Sequence, residues 1–228
     1  MNLYKLLVPV VSMSIFFGIM FEVYSYYFRS FYHKNITLST VISNWILYMS
    51  RISNVITMML LALILELTQD ISKILFLFSL VYSFAALYTY FILYRFRLDV
   101  FFIIIKKLIS FLYKVDINYN QHIIKKTKLS WKLPTTSFLV TVFVFFSLIS
   151  PAIAGYHFFD FRMTLTYSAS IFNFLASGIL LSYIEPSFAS KAKTKLYLEA
   201  FYNIFFGKLI AIIFIIFLSL LINYFLFI

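Results

Sequence analysis

Six stretches of this sequence are long, apolar and almost free of charge, and they decide what the chain can fold into. They run Leu3–Phe28, Thr40–Leu65, Ile74–Tyr94, Phe138–Ile153, Arg162–Ile184 and Phe201–Phe227. The hydrocarbon core of a bilayer is about 30 Å thick and a helix rises about 1.5 Å per residue, so about 20 apolar residues cross it. The fourth stretch is the shortest. A soluble domain is roughly half apolar and about a quarter charged. This chain of 228 residues is 63% hydrophobic and 12% charged, an excess that a soluble core of this size does not hide. The expected architecture is all-α: a polytopic membrane protein of about six transmembrane helices, one helical domain over residues 1–228. The first stretch reads as a retained helix, because "FEVYSYYF" follows its apolar run where a signal peptide needs small residues for cleavage.

Charge sets the orientation. The connections after spans one, three and five hold most of the 19 Lys and Arg residues, the densest group running from Arg95 to Lys132. The opposite side holds Lys5, Lys73 and Arg162, while Arg51 and Lys208 lie within spans. Lys and Arg accumulate in cytoplasmic loops, so both termini should face outside. Topology accounts for the basic loops, and no stacking-aromatic motif accompanies them, so nucleic acid is not an expected partner. Membrane lipids are, through anionic headgroups. The segment Leu98–Lys114, with Lys106 and Lys107 at its centre, reads as an amphipathic helix in the interface.

Several chemistries drop out. The chain has no cysteine, which removes disulfides, thiolate catalysis and thiolate-bound metal. Its three histidines, His33, His122 and His157, fall in separate loops. There is no His-Glu-x-x-His, Gly-rich phosphate loop or Gly-x-Ser-x-Gly. No enzyme activity and no cofactor are expected. The oligomeric state is open.

Polar residues inside spans carry most of the information, since burial in lipid without partners is unfavourable. On the second span, helical spacing puts Asn44, Tyr48, Arg51, Asn54 and Met58 along one stripe. Arg51 lies about 16 Å into the bilayer at 1.5 Å per residue, near the midplane. Two roles compete for it. In one it pairs with a buried acid, Glu22 or Glu185, and pins helix packing. In the other it faces a pathway and attracts an anionic headgroup, for which the fork of guanidinium donors is suited. Glu22 on its own reads as interfacial. Asn173, Ser177 and Gly178 have the small, polar character of a helix–helix contact. Tyr24, Tyr26, Tyr27, Tyr94, Tyr183 and Tyr202 lie at span ends, as an aromatic belt requires.

"SRISN", Ser50–Asn54, resembles the Ser-Arg-x-x-Asn signature of the Amj-type lipid II flippases, bacterial multi-span proteins that serve as an alternative to the MurJ-type flippase. "SGILLSYIEPSFASKAKTKLYLEAF", Ser177–Phe201, is similar to the later region of that family. There an apolar helix ends in an acidic-Pro pair before a basic, small-residue segment. The sequence departs from the pattern in "VITMMLL" (Val55–Leu61) after the signature, and in Glu185 where an Asp precedes the proline. The resemblance implies a divergent member in a bacterial cytoplasmic membrane. It implies a cargo too, undecaprenyl-pyrophosphate-linked peptidoglycan precursor (lipid II), moved from inner to outer leaflet. Arg51 would then contact the pyrophosphate, with Asn44, Ser50, Asn54, Glu22 and Glu185 as further substrate-binding candidates. A transporter for another polyprenyl-linked lipid or a small solute, and a non-transporting scaffold, are the alternatives.

Overall fold

The computed structural model describes residues 3–31, 36–68, 70–94, 107, 110, 130–157, 162–191 and 197–226. Nearly all of them are helical. Helices α1 (Leu3–Phe31), α2 (Ile36–Thr68) and α3 (Ile71–Tyr94) are followed by α4 (Lys132–His157) and α5 (Arg162–Ile179). A π-helical turn, Leu180–Ile184, joins α5 to the short α6 (Glu185–Lys191), and α7 (Tyr197–Leu226) ends the fold. Six helical spans are long and apolar enough to cross a membrane, α5, the π turn and α6 counting as one. The protein is thus a multi-pass helical membrane protein. The fourth span is longer than its apolar core indicated, running from Lys132 to Tyr156. Its first turn contains Pro134, tolerated there because a first-turn N–H has no intrahelical partner to lose. The interfacial helix expected over Leu98–Lys114 and the polar loop after it lie almost wholly outside the described residues, as does Asp160.

Helix α1 packs along α2, α4 along α5, and α7 lies against both α3 and α4. With little hydrophobic drive between helices in lipid, such contacts rest on close approach and hydrogen bonds. The α1–α2 seam shows both. Ser14 and Ser53 hydroxyls donate to each other's carbonyls at 2.9 and 2.6 Å. Ser50 Oγ donates to the Gly18 carbonyl at 2.7 Å, and Ser43 Oγ to the Ser25 carbonyl at 2.7 Å. Two glycines make the tightest approaches, Gly18 against Asn54 and Gly207 against the Pro134 backbone. Gly178, in contrast, has nothing within 4 Å of where a Cβ would stand, and Asn173 is exposed. The contact expected at Asn173–Gly178 is therefore absent, because that helix face turns outward.

Asp70 begins α3. Its Oδ1 accepts the Ser72 and Lys73 backbone N–H groups at 3.0 and 3.4 Å, and Lys73 Nζ stands 3.0 Å from Oδ2. Partial burial pushes the carboxyl up, but the Lys73 ammonium and the two backbone donors together outweigh it and hold it below its ordinary value of 3.8. A depressed carboxyl contributes stability above its unfolded value and loses it as pH falls through the folded one. The cap is complete at neutral pH and fails only in strong acid. Asp70→Ala should lower stability at pH 7 by about 1 kcal/mol, the usual value of an N-cap, whereas Asp70→Asn should keep most of it. Unfolding titrations in mixed detergent compare the two.

Candidate functional site

The apolar interior is divided in two. One cluster holds Met20, Tyr24, Tyr26, Phe188, Phe201 and Phe205; the other holds Ile15, Leu61, Phe78, Phe145, Ile149 and Ile212. Between them lies a polar layer: Gly18 and Glu22 of α1, Asn54 of α2, Tyr82 of α3, Thr141 of α4 and Lys208 of α7 surround a cavity of about 20 Å³. That is enough for one water, with polar partners on several sides. Glu22 and Lys208 form an ion pair across it. The ammonium side chain is 4% exposed and the carboxylate 14%. Helical side chains lean toward their own N-terminus. Because α1 and α7 run in opposite directions, the two lean toward each other.

A second ion pair, Arg29–Glu185, closes the end of the bundle that carries the basic connections. The two pairs are joined through aromatic rings. Lys208 Nζ lies 5.7 Å from the Tyr26 ring centre, Tyr26 meets Phe188 edge to face at 5.6 Å, and the Arg29 guanidinium lies 5.6 Å from the Phe188 ring. Tyr26 and Phe188 are fully buried. The π turn makes this possible. Pro186 offers no N–H and its ring crowds the carbonyl four residues back. The helix widens before it, and the Glu185 N–H bonds to the Leu180 carbonyl, five residues back. In an α-helix a spacing of four drifts by about 40° per step. The wider turn takes up that drift, so Ala176, Leu180, Ile184 and Phe188 all face inward.

The residues singled out in the sequence are dispersed by the fold. Ser50 points inward and is used in the α1–α2 seam. Asn54 is half-buried at the cavity, its Oδ1 against Gly18. Glu22 is not interfacial but paired with Lys208, and Glu185 is paired with Arg29. The pairing of Arg51 with either acid is therefore overturned, since each already has a base. Arg51 faces outward, as does Asn44. The stripe holds from Asn44 through Tyr48 to Arg51 and turns inward at Asn54, because three residues fall about 60° short of a full turn. Among the described residues, Arg51 has no acidic partner. The described span of α2, Ser39–Thr68, has its midpoint between Ser53 and Asn54. Arg51 is thus about 4 Å from the middle of that span at 1.5 Å per residue. Below it, toward the basic end, Val41, Asn44, Trp45 and Tyr48 line an open groove of about 440 Å³. Trp45 and Tyr48 are 54% and 55% exposed and meet edge to face at 6.3 Å.

Sequence reasoning placed Lys208 inside a span but gave it no partner, and it missed Arg29, Tyr82 and Thr141 at the interior. The belt expected from tyrosines fails at Tyr24 and Tyr26, which are buried, Tyr24 Oη lying 3.1 Å from Tyr88 Oη.

Fold and site together define a six-span helical membrane protein with an ion pair in its interior and, among the described residues, an outward arginine in the middle of a span. No known protein family, curated protein or solved structure matches the chain.

Proposed function

We propose that the protein is a non-enzymatic lipid carrier of the lipid II flippase kind. It moves an anionic polyprenyl-pyrophosphate-linked saccharide between leaflets of a bacterial cytoplasmic membrane, along the outer face of α2. One observation carries this reading: a guanidinium in mid-span stands on the outward surface, and among the described residues no acid lies beside it. A charge in hydrocarbon is costly and is kept where it has a partner or a task. With both nearby interior acids engaged elsewhere, the partner that fits is a mobile anion, and a phosphate matches the guanidinium fork.

The order of groups along α2 supports the same cargo. From the basic end come an aromatic and amide groove (Val41, Asn44, Trp45, Tyr48), then Arg51, then an exposed apolar run (Ile52, Val55, Ile56, Met59). A saccharide stacks on aromatic rings and bonds to amides, a pyrophosphate bonds to arginine, and a prenyl chain lies on apolar side chains. That is the order of a polyprenyl-pyrophosphoryl-saccharide, headgroup first. The positive-inside rule puts the groove at the inner leaflet, where such a precursor begins. A scaffold held together by Arg51 with Glu22 or Glu185 lacks that contact.

In a bacterium depleted of its own lipid II flippase, Arg51→Ala should abolish rescue of growth at normal protein levels. Arg51→Lys should rescue partially, because an ammonium keeps the charge and loses the fork. Full rescue by both would end the pyrophosphate role.

A further inference from the structure

Helix α5 has two faces of similar chemistry, and the chain uses one of them. Toward α4 it turns Ser168, Ala169, Phe172 and Ala176. Ser168 Oγ lies 3.0 Å from Ser150 Oγ, Phe172 stacks on Phe146 at 5.4 Å, and both alanines are buried. The opposite face carries Tyr167, Ser170, Phe174, Ser177 and Leu181, at alternating spacings of three and four. Tyr167, Phe174 and Leu181 are exposed, and their span is the least buried of the six. Asn173 and Gly178 flank that row, one on each side. Asn173 is exposed, and among the described residues nothing bonds to its amide. The span Tyr167–Lys191 has its midpoint at Ile179. Asn173 is thus about 9 Å from the middle at 1.5 Å per residue, inside a hydrocarbon core about 30 Å thick.

We propose that this face seats a second copy of the chain, so that the protein forms a two-fold dimer through α5. An amide in hydrocarbon needs a partner that both donates and accepts, and acyl chains offer neither. A copy of the same face offers both. Two chains in one membrane share their orientation. A two-fold axis along the bilayer normal therefore sets the two α5 helices parallel, with each row against its own copy. Spacing of three and four keeps such a row at the seam of two helices crossing at about 20°. Ser170 then faces the partner's Ser170, and Ser177 the partner's Ser177, hydroxyl to hydroxyl. Small residues of this kind let helices approach closely in lipid. Flanking positions cross over in such a pair, so Asn173 of one chain comes to the partner's Gly178. Nothing lies within 4 Å of where a Gly178 Cβ would stand. A helix carbonyl keeps one lone pair free, so the amide finds both room and an acceptor there. Symmetry makes the contact twice. A different protein would have to supply this row from its own sequence, whereas a second copy has it already. The inference does not depend on which lipid is carried.

The absence of cysteine makes the test direct. The full chain is reconstituted alone into liposomes at high lipid excess and oxidised with copper phenanthroline. Ser177→Cys should give a disulfide-linked dimer as the main product, and Ser170→Cys should do the same. Ile213→Cys, exposed at a similar depth on α7, is the collision reference and should stay mostly monomeric. Association is measured separately, by energy transfer between chains tagged at the C-terminus. Asn173→Leu should raise the protein-to-lipid ratio for half-association about tenfold, through loss of an interhelical hydrogen bond in lipid. Asn173→Gln should restore part of the association. Gly178→Leu should weaken it too, by filling the space the amide enters. Both residues are exposed in the single chain, so neither change should lower its unfolding midpoint in detergent, which separates an interface from a fold defect. Crosslinking at Ile213 equal to that at Ser177 would overturn the proposal. So would an Asn173→Leu chain that associates as the parent does. A parent that stays monomeric at every dilution would overturn it as well and leave the face to lipid or to another protein.

Discussion

Gly207→Ala should destabilise the protein more than Gly18→Ala or Gly178→Ala, by about 3 kcal/mol, the upper part of the range for overpacked interiors. A Cβ at Gly207 would stand 2.7 Å from Pro134 Cα and 2.8 Å from its carbonyl carbon, and nearer still to the carbonyl oxygen. These are backbone atoms in the first turn of α4, so no rotamer change relieves the clash; α4 and α7 must separate. The contact is also where Ser137 Oγ donates to the Ile204 carbonyl at 2.8 Å and the Ser130 N–H to Asn203 Oδ1 at 3.2 Å, and separation weakens both. Two comparisons make the result specific. At Gly18 the obstacle is Asn54 Oδ1 at 2.7 Å, the end of a side chain that can swing away, so Gly18→Ala should cost less while disturbing the cavity. At Gly178 the space is open, and Gly178→Ala should be neutral or stabilising by up to about 1 kcal/mol through helix propensity. Detergent-unfolding midpoints of the three variants rank them. A Gly207→Ala chain as stable as Gly178→Ala would refute the close approach.

The spans were readable because lipid imposes a severe filter: every backbone group must be satisfied within the helix, and the side chains must be apolar. Length and hydropathy report that directly. The depth of Arg51 and its shared face with Asn44 followed from the helical period alone. Partners were a different matter. Glu22 looks interfacial when counted along its own helix, and only the opposed lean of α1 and α7 brings Lys208 to it. Ser14, Ser43, Ser50 and Ser53 form a seam whose spacing is ordinary in any serine-containing span. Nothing in "SRISN" says that its two serines turn inward, its arginine outward and its asparagine toward a cavity. The role of Pro186 was hidden for a related reason. Proline announces a disturbance of the helix, but whether it becomes a kink or a π turn depends on what the residues on either side of it meet, here Arg29 at Glu185 and Tyr26 at Phe188.

Lys208→Met should prevent stable folding or lower stability by about 3–5 kcal/mol, the cost of leaving one member of a buried pair without the other. Methionine fills the volume of the lysine stem, so the loss is electrostatic: the Glu22 carboxylate, 14% exposed, loses its cation. Glu22→Leu alone should be similarly damaging for the opposite reason, since Lys208 is left among Tyr26, Ile15 and Ile212 without its counter-ion. The double variant Glu22→Leu/Lys208→Met removes both charges and leaves apolar groups of similar size. It should recover most of the stability and exceed the parent by about 1 kcal/mol, as buried pairs elsewhere do when exchanged for apolar residues. Unfolding midpoints of all three and of the parent form a complete cycle whose coupling term is the worth of the pair. Two damaging single changes and a nearly additive double would mean that Glu22 and Lys208 act separately. A stable double that no longer rescues growth would mean that the charges are retained for what they do, not for the fold they sit in.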